Sequence, residues 1–145
     1  MNRFLILIHV YAVVVWIGGM FFAHFCLRPV AAAQLPPPQR LPLLSAVLGR
    51  FFVVVSVALV LLWGSGVILF VNSAVPAPVS WRAMAGIATV MTVIFLVIVL
   101  RDYPRLKTAV AAQNWPAGGA AMNSIRILVL INLALGFLTT AIAIV

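Results

Sequence analysis

Two histidines, five methionines and one cysteine are the side chains of this 145-residue chain best suited to hold a metal or a cofactor. Both histidines and the cysteine fall in one uncharged apolar run, Phe4 to Leu27. At about 1.5 Å per residue, that run is long enough to cross a hydrocarbon layer of roughly 30 Å. Ionisable side chains are costly in such a layer, and those found there usually face the bundle interior and mark function. At about 100° per residue, Val13, Trp16, Met20, His24 and Leu27 share the face of His9. Gly18 and Gly19 lie at the middle of the helix, where missing side chains admit a neighbouring helix or the edge of a flat cofactor. Packing alone also places Trp and Met at helical spacing, so Trp16 and Met20 have two readings.

His9 and His24 are roughly 22 Å apart along one helix, so they cannot ligate one ion together. Two chemistries fit the donors. A haem b needs an imidazole, a second axial donor or an open position, and a flat apolar slot. His9 supplies the imidazole, Trp16, Gly18 and Gly19 shape the slot, and Met84, at similar depth on a later helix, is the opposite donor; a second chain's His9 is another. Copper(I) prefers soft donors, and Met20 with His24 one turn on suits it, with His9, Met84 and Met91 as further donors. Cys26 points about 160° from that pair and reads as an inert thiol. The third reading is a structural subunit whose polar residues only pack helices. Asp102 is the only acid, so chemistry by paired carboxylates is excluded.

The elements that position these residues are membrane helices. The chain is 66% hydrophobic and 7% charged, too apolar for a small water-soluble core. Four runs predict four crossings, at 4–27, 51–71, 83–100 and 127–145, in a single all-α, up-and-down four-helix bundle spanning residues 1–145. The first run is too long for a secretory signal and carries no small-x-small cleavage site, so it is expected to stay. Arg28, Arg40, Arg50, Arg101, Arg105, Lys107 and Arg126 flank one side, against Arg3 and Arg82 on the other. That bias places the basic loops in the cytoplasm and both termini on the outer, periplasmic side. Basic loops beside anionic lipid explain the net charge of +8 without nucleic acid. The expected partners are the bilayer, and a second copy of the chain or a membrane redox protein.

Between the crossings, Pro36-Pro37-Pro38 predicts an extended polyproline connector. Arg40 to Arg50 predicts a short amphipathic turn along the interface. Asp102 beside two arginines reads as a surface ion pair. The stretch Ala109 to Asn123 predicts a flexible loop, and Asn123-Ser124 the cap of the last helix. Asn132 is level with His24, and its two readings are a hydrogen bond to that ring and an ordinary interhelical contact.

The residues His9-x6-Trp16-x-Gly18-Gly19-x-Phe21-Phe22, followed by Leu27-Arg28-Pro29, resemble the opening helix of CopD-family integral membrane proteins. Arg50-Phe51-Phe52, Gly64-x-Gly66, Ile125-Arg126 and Asn132-Leu-x-Leu-Gly136 are similar to later landmarks of the small four-helix members. The resemblance implies a bacterial inner-membrane bundle associated with copper resistance or uptake. The same His-x6-Trp-x-x-Gly pattern is similar to HemJ-type membrane proteins, which bind b-type haem and act in protoporphyrinogen oxidation; this resemblance implies that His9 is an axial haem ligand. The HemJ-type third helix offers a lysine, and this chain has none between Ala83 and Leu100. The resemblance therefore implies haem binding rather than the oxidase activity, and the leading expectation is a haem-b-binding electron carrier or an accessory of a membrane redox enzyme.

Overall fold

The computed structural model describes residues 2–145. Four helices account for nearly all of them: α1 (Arg3–Gln34), α2 (Pro37–Val71), α3 (Val79–Ala111) and α4 (Trp115–Ile144). All four are long and apolar enough to cross a membrane, and no strand occurs among the described residues. Consecutive helices are antiparallel. On α1 and α2, Gly19 meets Phe51 while His9 meets Gly66; on α3 and α4, Ser124 bonds Asp102 at one level and Asn132 bonds the Met91 carbonyl at another. α1 packs most closely on α2, and α3 on α4, so the bundle is a pair of hairpins.

The apolar runs locate the helices, but every helix continues further toward the basic end than expected. At 30 to 35 residues, each is about 45–52 Å long, well beyond a hydrocarbon layer of roughly 30 Å. The proline connector shrinks to Leu35 and Pro36, because Pro37 and Pro38 begin α2, where a missing N–H costs no intrahelical bond. The stretch Arg40 to Arg50 is not an interfacial turn. It is the first part of α2, whose Leu41, Leu44 and Leu48 are buried, Leu41 and Leu48 in a core shared with Leu106 of α3 and Ile125 of α4. The expected loop Ala109 to Asn123 reduces to a tight turn around Gln113, whose φ is 53°. Asn114, not Asn123-Ser124, caps α4, its side chain accepting from the Ala117 N–H. Three helices present apolar faces at this end, and burying them together outweighs the loop signals of the prolines and glycines.

Asp102 is likewise not a surface residue. It is 1% exposed and accepts from Arg101 Nε at 2.9 Å and from Ser124 Oγ at 2.8 Å. The only acid thus ties α3 to α4 within the overhanging part of the bundle.

Two helices widen before this end. Ala23–Leu27 in α1 and Ile98–Asp102 in α3 are π-turns, each ending two residues before a proline, Pro29 and Pro104. A proline inside a helix lacks the N–H for the carbonyl four residues back and its ring crowds that carbonyl. A wider turn opens the ladder there: the Arg28 N–H reaches Ala23 O, and the Tyr103 N–H reaches Ile98 O, five residues back. These prolines are 75 positions apart, and the same offset carries α1 and α2 nearly onto α3 and α4.

Candidate cofactor site

Away from the basic end, a cavity of about 510 Å³ lies among all four helices. That is within the usual range of roughly 300–1,000 Å³ for small-molecule sites. Its lining is overwhelmingly apolar. His9, Trp63, Met84 and Thr139 are among the lining residues that carry nitrogen, oxygen or sulfur. Trp16 and Met91 also reach it, both nearly fully buried. Trp63 Nε1 donates to Thr92 Oγ1 at 3.1 Å, linking α2 to α3 at the cavity wall.

His9 is held in a defined orientation. Its Nδ1 lies 3.2 Å from the Leu62 carbonyl and 3.1 Å from Ser65 Oγ. The Ser65 hydroxyl has its own acceptor, since it donates to Leu61 O at 2.6 Å. A carbonyl can only accept, so Nδ1 carries the hydrogen. The neutral ring then keeps its lone pair on Nε2, which has no hydrogen-bond partner among the described residues. Ligating histidines are oriented in just this way, by a carbonyl on the other ring nitrogen. Room for the ring comes from Gly66, where a Cβ would stand 3.1 Å from His9 Cε1.

The 75-residue offset that relates the hairpins carries His9 onto Met84 and Trp16 onto Met91, and all four line the cavity. Each hairpin thus brings one potential donor to the same level. Thr139 Oγ1, which is buried and has no partner among the described residues, adds one polar handle.

The other candidates lie elsewhere. Neither Gly18 nor Gly19 lines the cavity: a Cβ built at Gly18 meets nothing within 4 Å, while Gly19 makes room for the Phe51 ring and thereby for α2. Met20 is 2% exposed and belongs to the packed core. His24 is half-buried, with its ring edge-on to Phe25 at 4.8 Å between centroids. Asn132 donates to the Met91 carbonyl at 3.1 Å rather than to His24. Cys26 is exposed. Met20 and His24 do not line the cavity that holds His9, Met84 and Met91, and no group of three or more His, Cys, Asp or Glu gathers among the described residues.

No family model, curated protein or solved structure matches the chain. The site has to be read from its own chemistry.

Ser65, Gly66 and Thr139 are residues of the site that helical periodicity does not mark. The signal for the first two was present in Trp63-Gly64-Ser65-Gly66, which reads equally well as ordinary small-residue packing. Which of these faces His9 depends on the register of α1 against α2, and periodicity within one helix carries no such information.

Proposed function

We propose that the protein is a haem-b-binding protein of the bacterial inner membrane, acting as an electron carrier or as an accessory of a membrane redox enzyme. The observation that carries this reading is His9, fixed through Nδ1 and with Nε2 free, on the wall of an apolar cavity of ligand size. Met84, from the equivalent position of the second hairpin, lines the same cavity and would hold the group together with His9. The residues fit the group: an imidazole and a thioether are both haem ligands, and apolar and aromatic walls suit a flat macrocycle. Bound there, a haem supplies a one-electron couple whose potential a thioether ligand raises. The chain's own residues do the rest. Leu62 and Ser65 orient the ring of His9, Gly66 gives it room, Trp16 and Trp63 exclude water, and Thr139 offers a hydroxyl. The likeness of the first helix to HemJ-type proteins supports the same assignment of His9.

The excess of Arg and Lys at one end supports an orientation with that end in the cytoplasm and both termini outside. The cavity then opens toward the periplasmic half of the membrane.

The test is an absorption spectrum, oxidised and dithionite-reduced, of the gently extracted protein beside His9→Ala and Met84→Ala, with metal analysis on the same samples. A Soret band that shifts on reduction, vanishes in His9→Ala and changes in Met84→Ala is the expected result. A colourless protein with stoichiometric copper would replace haem by copper handling through His9, Met84 and Met91. Neither signal would leave a structural subunit.

A further inference from the structure

At the basic end, the widened turn of α1 that carries His24 and leads into Arg28 packs on α4, the helix that carries Arg126. No carboxylate answers these side chains. Asp102, the only acid in the chain, is buried and already engaged by Arg101 and Ser124. Arg126 has a neutral neighbour, donating through Nη2 to Asn123 Oδ1 at 2.8 Å. Arg28 has less: its Nε is buried and finds no acceptor among the described residues. A buried guanidinium N–H without an acceptor is costly and rare, so an acceptor from outside the chain is the economical resolution.

Depth identifies the class of that acceptor. Arg28 follows directly on the apolar run Phe4 to Leu27, and Arg126 directly precedes the apolar part of α4. Both therefore stand where hydrocarbon gives way to headgroups. On the membrane side of this cluster, α1 and α4 expose an aromatic seam. Phe21 lies 5.0 Å from Phe25 and 6.3 Å from Phe137, centroid to centroid, and all three are about half exposed. A cationic pocket above an exposed apolar seam matches a phospholipid, phosphate above and acyl chain below.

We propose that His24, Arg28 and Arg126 form a binding site for the phosphate of an anionic phospholipid, whose chain lies along Phe21, Phe25 and Phe137. The planar Arg28 fork meets phosphate oxygens, and Arg126 and His24 add charge and a donor. The site is separate from the His9 cavity and independent of whatever that cavity binds.

The test is thermal unfolding of the full chain in phosphatidylcholine nanodiscs with increasing phosphatidylglycerol, which yields an apparent lipid affinity. A specific charge-assisted bond predicts that Arg28→Gln and Arg126→Gln each weaken that affinity by about tenfold or more. Arg40→Gln, which removes a charge further along the same end, changes it by about fivefold or less. Arg28→Lys keeps the charge but loses the Nε donor, and is expected to resemble Arg28→Gln. It also decides the matter should Arg28→Gln fail to fold. Equal effects of Arg28→Gln and Arg40→Gln, or no stabilisation of the native chain by phosphatidylglycerol, would overturn the proposal. Inorganic phosphate producing the same stabilisation in phosphatidylcholine alone would assign the pocket to a free anion and overturn the lipid.

Discussion

Gly64 and Gly66 offer a paired test of whether His9 is held for ligation. They are two residues apart on α2, yet a Cβ at Gly64 meets nothing within 4 Å, whereas one at Gly66 lies 3.1 Å from His9 Cε1 and 3.5 Å from Nδ1. Replacing either with Ala gains about 0.8–1 kcal/mol of helix propensity. For Gly64→Ala that gain stands alone. For Gly66→Ala the ring must move by a few tenths of an ångström. The hydrogen bond to Leu62, worth about 1 kcal/mol, is weakened, and any off-rotamer strain adds about 0.5–1.5 kcal/mol. Gly66→Ala should therefore leave stability within about 1 kcal/mol of the native chain. Ligand affinity should fall by much more, because disturbing the shell that orients a ligating histidine typically costs about 10- to 100-fold. Two readouts are needed, haem titration followed at the Soret band and ¹⁵N spectra of labelled histidine, which report the Nδ1–H tautomer with no cofactor present. Haem affinity and His9 spectra that are the same for Gly64→Ala and Gly66→Ala would refute the positioning argument.

Three further outcomes follow from buried polar groups and backbone. Asn132 is 1% exposed, and its Oδ1 has no partner among the described residues. Asn132→Leu removes an unsatisfied acceptor worth about 1–3 kcal/mol and gives up an interhelical bond of about 0.6 kcal/mol. A net stabilisation of about 1 kcal/mol is expected in denaturation from mixed micelles. Asp102→Ala should destabilise by about 1.5–3 kcal/mol through loss of the charge-assisted bond from Ser124, and the Asp102→Ala/Ser124→Ala pair should cost little more than Asp102→Ala alone, as a double-mutant cycle would show. Gln113→Gly relieves a left-handed residue at the α3–α4 turn, and should raise stability by up to about 1 kcal/mol in the same assay.

What could be read from the residues divides by physical origin. The four long apolar helices were legible because hydrophobic length is a property of each segment alone, and Phe51 to Val71 needs no neighbour to announce itself. The helical overhangs were not. Pro37, Pro38, Pro116 and Gly118 signal a loop when read locally, and the opposing signal, Leu41, Leu44 and Leu48 on one face, decides only when Leu106 and Ile125 are known to lie opposite. Asp102 misled for the same reason, since its flanking arginines are visible in sequence and Ser124, 22 residues on, is not. At the site, the levels of His9 and Met84 followed from counting along antiparallel helices, and both residues line the cavity. Gly18 and Gly19 lie outside the cavity lining, and a glycine shows that something can approach, not what. For Gly19 it is the Phe51 ring.

The two π-turns have a mechanical consequence. A widened turn beside a proline is the softest point of a helix, and here one such point sits in each hairpin, ahead of Pro29 and Pro104 at matching positions. Two pivots at one depth make a pair of scissors. The blades above them are about 20 residues long, roughly 30 Å, so a tilt of about 5° between the hairpins displaces the blade tips by roughly 2–3 Å. The cavity lies between those blades. The handles are the basic ends of the two hairpins, the second held together within itself by Asp102 and Ser124, and a load applied there flexes the pivots and shifts the walls around His9 and Met84.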